Sequence, residues 1–251
     1  MAQGRGALGS VRHAMQYPQR ARRYLRRLRR DAVLRLRHRD HIAYYSAVVD
    51  DAIVHGEATA VGNTGRRGWN EIGLMQFDYL KRHGLTPQHH LLEIGCGNLR
   101  AGWRFINYLD AGNYYGIDIS LEVLFAAQAI VADHDLADKL PHLTLVKDMT
   151  FSFLPAAYFD IVHAHSVFSH SPLAVIEECF SHLPRVMKPD AFFDFTFNRT
   201  DGTEHARLGE DWYYRTESLV AAAERHGLKA EFMDDWEQLG HVQSKLRVTR
   251  G

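Results

Sequence analysis

Cysteine is nearly absent: Cys96 and Cys179 are the only two, far apart and with no CxxC partner. That argues against a disulfide framework and a zinc knuckle, and it predicts a reducing, cytoplasmic setting. Lysine is scarce too, at six residues against 24 arginines. No run approaches the roughly 18 to 20 apolar residues of a membrane span. The first residues lack the apolar stretch of a secretion signal, so neither export nor membrane crossing is expected. No HxxxH or paired-carboxylate spacing argues for a metal site, and no metal is expected. What is present is a chain of 251 residues, 46% hydrophobic and 24% charged, which suits one large α/β domain with an appendage.

The net charge of zero conceals a division. Residues 1–40 hold twelve arginines against Asp31 and Asp40, a net +10, and the remainder carries 18 basic and 28 acidic residues, a net −10. Within this arm Tyr24, Leu25, Leu28, Val33, Leu34 and Leu36 alternate at roughly helical spacing with Arg22, Arg23, Arg26, Arg27, Arg29, Arg30, Arg35 and Arg37. Three uses remain open. The helix could pack its leucines on the acidic body and leave its arginines in water. It could lie on an anionic membrane surface, or bind nucleic-acid phosphates, the weakest of the three.

Further along, His41–Val54 reads as a helix, broken by the Gly- and Thr-rich stretch from Gly56 to Gly68. Ile72, Met75, Tyr79 and Leu80 then mark a mostly buried helix that stops at Gly84. From Leu91 the pattern changes to short apolar runs at 91–94, 114–117, 143–146, 159–164 and 192–197. These are separated by helical segments at 100–109, 121–134 and 173–183, the last ending or kinking at Pro184. A helix at 216–226 and strands at 229–232 and 242–248 close the pattern. The alternation predicts a Rossmann-like, doubly wound α/β fold with a mostly parallel sheet of seven strands and an N-terminal helical extension.

The chemistry concentrates where the first run opens into a helix, at Glu93-Ile94-Gly95-Cys96-Gly97. Two glycines there let backbone approach a ligand closely. Asp118 ends the second run 21 residues after Gly97, where a carboxylate can accept hydrogen bonds from a ribose. Arg100 stands where a dinucleotide site wants its third glycine, so a nucleoside without a diphosphate is favoured.

On these residues the chain resembles the class I S-adenosylmethionine-dependent methyltransferases, over about residues 69–251. Residues 1–68 would then be a basic, mostly helical extension. The resemblance implies that Glu93, Gly95, Cys96, Gly97 and Asp118 hold the cofactor, with Ile119 against the adenine. It implies that Asp148 binds the adenine amino group and that Met149 packs on the ring. Phe159–Ser166 looks like the family's fourth-strand motif, and residues 183–197, with Lys188-Pro189-Asp190, like its fifth-strand region.

The sulfonium of such a cofactor is already activated, so the protein chiefly aligns an acceptor. A hydroxyl acceptor needs a base, and histidine is the usual one near neutral pH. His170 is the preferred base, with a helix-start residue as its plain alternative, and His165 is placed in the cofactor cleft. The run 198–214, rich in aromatic and polar residues, is either an acceptor lid or a solvated connection. Because no Asn/Asp-Pro-Pro-Tyr run follows the fourth strand, oxygen of a small molecule (a sugar, lipid-linked sugar or secondary metabolite) is favoured as acceptor. The alternatives are an RNA methyltransferase using the arm, a non-catalytic nucleoside-binding module and, last, an oxidoreductase.

Overall fold

The computed structural model describes residues 18–54 and 65–251. Arm residues 1–17 and most of the Gly- and Thr-rich break, 55–64, lie outside them, as do the side chains of Arg22, Arg23 and Tyr24. Three helices precede the sheet: α1 (Pro18–Arg37), α2 (His41–Val54) and α3 (Gly65–Arg82). The last begins inside the segment expected to be a break.

The sheet elements are β1 (Leu91–Ile94), β2 (Tyr114–Asp118), β3 (His142–Leu145), β4 (Phe159–Ala164), β5 (Met187–Arg199), β8 (Leu228–Phe232) and β9 (Ser244–Arg250). The intervening helices are α4 (Gly102–Tyr108), α5 (Leu121–Asp133), α6 (Leu173–Val186), α7 (Thr216–Arg225) and the short α8 (Asp234–Glu237). Strand order runs β3-β2-β1-β4-β5, all parallel, then β9 antiparallel to β5 and β8 antiparallel to β9. This is the expected seven-stranded, doubly wound arrangement.

A further hairpin, β6 (His205–Arg207) and β7 (Asp211–Tyr214), joins the end of β5 through Asn198 and Arg199, giving nine strands in all. It replaces the loop read over 198–214. Leu208 and Gly209 reverse the chain with φ of 57° and 74°, a local signal that hydrophobic periodicity does not carry. Helix α6 passes through Pro184 to Val186 instead of ending before it. Val175, Ile176, Cys179, Phe180, Leu183 and Val186 form one buried stripe, and that packing outweighs the lost backbone donor.

The core is aromatic on one side. Phe168 meets Phe180, Phe193 and Phe195 with ring centroids 6.3, 5.9 and 5.0 Å away, and all four rings are buried. On the other side a polar row crosses the sheet: Glu93 lies opposite His163, His163 opposite Asp194 and Asp194 opposite Arg247. Asp194 accepts two hydrogen bonds from Arg247, at 2.7 and 2.8 Å. Lys245 Nζ is buried 4.3 Å from the Tyr79 ring centroid and 4.0 Å from that of Trp236, and burial pushes its pKa down to about 8. Among the described residues no helix is long and apolar enough to cross a membrane.

Phe195→Ala should open a cavity at the centre of the aromatic cluster and destabilise the protein by about 3–5 kcal/mol, read as a lower midpoint in urea unfolding. A loss under about 1 kcal/mol would mean that the cluster can collapse around the vacancy.

Candidate active site

Strand order reverses between β1 and β4, and ligands of open parallel sheets sit at that crevice. There β1 turns at Gly95 (φ 65°) and Gly97 (φ 56°). The Gly95 and Cys96 N–H groups both donate to the Ile117 carbonyl, at 2.8 and 3.0 Å, which hangs the turn on β2. A Cβ at Gly95 would lie 2.4 Å from Val167 Cγ2, so crowding as well as backbone conformation requires glycine. At Gly97 a Cβ would meet open space, which leaves backbone facing the cavity.

Asp118, at the end of β2, is buried and accepts from Gly97 N–H at 2.9 Å and from Ser120 N–H at 3.0 Å. Burial pushes its carboxyl above the ordinary value against the pull of these donors. Each oxygen keeps a further lone pair for another donor.

A cavity of about 1060 Å³ begins at this turn. Gly95, Gly97, Asp118, Ile119 and Met149 line one part, Glu93 and His165 its floor, and His170 its far wall. Eight of the ten residues singled out from the sequence thus border one space. Cys96 and Asp148 do not. The Cys96 side chain points into the helix–sheet core, close over Gly116, where burial raises its thiol pKa. Asp148 is exposed and receives the Thr150 N–H and Oγ1–H at 3.0 and 2.6 Å, bonds that hold its carboxyl below the ordinary range. The reasons are local: one side chain falls on the core side of the turn, and the other closes its own loop.

Two further groups have unusual environments. Glu93 is buried and accepts the Tyr114 hydroxyl at 2.5 Å, and burial pushes its pKa up to about 7. His165 has no protein partner on either ring nitrogen, and burial, then the charge of Arg100, hold it neutral. Ser166, next to it, takes the left-handed conformation (φ 59°) at the cavity edge, held by Thr196 Oγ1 and Gln243.

His170 sits in a single turn of 3-10 helix, Phe168–His170, before Pro172 opens α6. Its Nδ1 lies 2.7 Å from the Glu210 carbonyl and 3.3 Å from Asp211 Oδ1. Both are acceptors, so Nδ1 carries the hydrogen and Nε2 keeps its lone pair. Burial opposes ionisation of Asp211, yet the bond from His170 and the charges of Arg27 and Arg207 hold its carboxyl below the ordinary range. The Tyr45 ring stacks on His170 at 5.2 Å, and His41 Nε2 donates to the His170 carbonyl at 2.8 Å.

Arg26, Arg27 and Arg30 of α1 line the same cavity. Arg27 and Arg30 each reach Glu210 at 2.5 Å, and Arg30 also reaches Asp51 at 3.2 Å. The sequence reading missed His41, Tyr45 and Glu210. They lie 129, 125 and 40 residues from His170, and no local spacing links them.

Residues 92–193 match a family model described as a methyltransferase domain. The structure is similar to magnesium protoporphyrin IX methyltransferase from Synechocystis PCC 6803 with bound S-adenosylmethionine, at 15% identity and TM-score 0.60, over 82% of this chain and 97% of that one. The chain shares the fold of that methyltransferase, and its residues 92–193 carry the sequence pattern of a methyltransferase domain.

The structure is also similar to an S-adenosylmethionine-dependent methyltransferase from Clostridium acetobutylicum, at 12% identity and TM-score 0.58, over 80% and 98% of the two chains. It is similar as well to phosphoethanolamine N-methyltransferase 2 of Haemonchus contortus, at 17% identity and TM-score 0.55, over 73% of this chain and about half of that one (53%). At these identities the likenesses speak for the fold. The open backbone at Gly97, the Asp118 carboxylate and the unpartnered nitrogens of His165 suit a nucleoside.

The Glu93 environment makes stability depend on pH. Its folded-state pKa of about 7 lies above the ordinary 4.5, so the fold keeps this proton longer than the unfolded chain does. That contribution is complete below the lower value and is lost as pH rises through the upper one. Glu93→Gln should therefore gain in urea midpoint over the wild type between about pH 5 and 7 and then level off, by on the order of 2 kcal/mol. A difference that does not change with pH would show that Glu93 ionises as an ordinary carboxylate.

Proposed function

We propose that the protein methylates an oxygen of a small-molecule acceptor, such as a sugar, a lipid-linked sugar or a secondary metabolite, with His170 as the base. The observation that carries this reading is the His170 environment. Glu210 and Asp211 fix the hydrogen on Nδ1, which leaves Nε2 as an acceptor at a cavity shared with Gly97 and Asp118. When bound, the cofactor supplies a methyl group on positively charged sulfur. The chain's part is to hold an acceptor hydroxyl in line with it, exclude water and receive the hydroxyl proton at Nε2.

On this reading Gly95 and Gly97 admit the cofactor backbone-first and Asp118 accepts from the ribose. Ile119 and Met149 flank the adenine, and Glu93 and His165 close the floor. The acceptor lies between His170, Tyr45 and His41. Residues 69–251 form the catalytic domain, and residues 1–68, through α1 and α2, supply the wall opposite the cofactor. The pairing of Arg27 and Arg30 with Glu210 weighs against the RNA reading, because two of the arm's arginines are engaged by the protein's own carboxylate.

Asp118→Ala should weaken S-adenosylhomocysteine binding by about 10-fold or more in calorimetry, the worth of hydrogen bonds to a charged group. A screen of hydroxyl and amine acceptors with methyl-labelled cofactor then tests the reaction. On the acceptor it finds, His170→Ala should lower kcat by about 10²–10⁴-fold with cofactor affinity unchanged. Near-normal turnover by that variant would remove His170 as the base, and transfer to nitrogen acceptors alone would remove the oxygen assignment.

A further inference from the structure

In most surface helices the apolar arc faces the core and the charged arc faces water. Helix α1 is built the other way round. Its inward arc is ionic: Arg27 and Arg30 reach Glu210, Arg30 reaches Asp51, and Asp31 accepts from the Tyr44 hydroxyl and from Arg35. Its outward arc is Leu25, Arg29, Ala32, Val33 and Leu36, which share one face at spacings of three and four. Leu25, Val33 and Leu36 are 56%, 46% and 88% exposed. Leu28 and Leu34 are half-buried, but the protein's own core makes little use of Leu25, Val33 and Leu36.

The charge around that arc has one sign. Arg29, Arg37 and Arg39 are exposed along it, and residues 1–40 carry a net +10 by sequence. An apolar strip bordered by arginines complements a surface that is anionic at its headgroups and apolar just beneath. There the side chains enter the boundary while the guanidinium groups stay with the phosphates. An RNA strand would satisfy the arginines but give Val33 and Leu36 nothing apolar to cover them.

We propose that the outward face of α1 docks on an anionic lipid bilayer. The inward face of the same helix lines the cavity with Arg26, Arg27 and Arg30, so docking brings that wall of the cavity towards the membrane interface. This deepens the proposed function and rests on it in one respect: among its acceptor classes, docking favours the lipid-linked one.

The test is sedimentation of the full chain with phosphatidylcholine vesicles, with and without phosphatidylglycerol, and with polyuridylate as a competing probe. The protein should pellet with the anionic vesicles, stay in solution with the neutral ones, and be released at high salt. The triple variant Leu25→Ser/Val33→Ser/Leu36→Ser keeps every arginine and should bind anionic vesicles at least about 10-fold more weakly. Unchanged S-adenosylhomocysteine affinity and urea midpoint would certify its fold. Docking is overturned if the wild type ignores anionic vesicles, if the triple variant binds them as well as the wild type does, or if polyuridylate is bound in preference to them. Failure of the wild type to bind S-adenosylhomocysteine would instead count against the cofactor site, and it is read separately.

Discussion

The hydrogen bond from Gly97 N–H to Asp118 joins the ends of two neighbouring strands at the point where the sheet changes direction. It forms only because Gly95 and Gly97 hold positive φ, which brings the backbone of the turn over β2 and aims the Gly97 N–H at the carboxylate. The Ile117 carbonyl takes the two preceding N–H groups, so three successive donors of the turn are satisfied by β2. Nothing bulkier could replace Gly95 without displacing Val167, and Val167 leads into the 3-10 turn that carries His170. The cofactor end and the acceptor end of the cavity are thus coupled through one glycine.

The other end depends on Glu210. Its carboxylate takes Arg27 and Arg30 from a helix about 180 residues away in sequence, while its backbone carbonyl orients His170. Arg30 and Glu210 are both buried, and such a pair costs nearly as much desolvation as its attraction returns. It contributes position more than stability: the β6–β7 hairpin and α1 have a single registry in which both arginines are answered. This arrangement also explains why α1 turns its ionic arc inward.

Much of the fold was legible because its strands are buried on both faces. Continuous apolar-rich runs such as Leu91–Ile94, which stops at Gly95, and Phe159–Ala164 stand out, and the structure reproduces both spans. The pairing of Asp118 with the glycine turn was legible for the same reason, since a fixed strand–turn–strand length places Asp118 beside Gly97. What was not legible depends on side-chain direction or on distant chain segments. Cys96 and Asp148 sit at sequence positions that suit the motifs, yet one turns into the core and the other binds Thr150. The β6–β7 hairpin has too few apolar residues to register as strands, being held by the Leu208–Gly209 reversal and by its link to β5. His41 and Tyr45 looked like ordinary helix positions, and only the folding of α2 over the switch point makes them wall residues.

The polar row across the sheet shows how the same β-strand pattern can hide function. Glu93, His163, Asp194 and Arg247 occupy one register line through four strands, each flanked along its own strand by apolar residues that make the run look uniformly buried. Helix α3 and the residue that follows it cover this line with polar side chains: Gln76 Oε1 accepts from His163 at 3.1 Å, and His83 meets Arg247 at 3.0 Å. A face that must satisfy so many buried donors and acceptors is costly unless every partner is in place, so α3 can seat in one position only. That position also brings Trp69 to Asn98, at 3.1 Å, on the segment that follows Gly97. The row therefore fixes the helix that reaches the Gly97 turn, as the Glu210 pair fixes the helix packed beside His170. The cavity between them is bounded on both sides by polar rather than apolar registry.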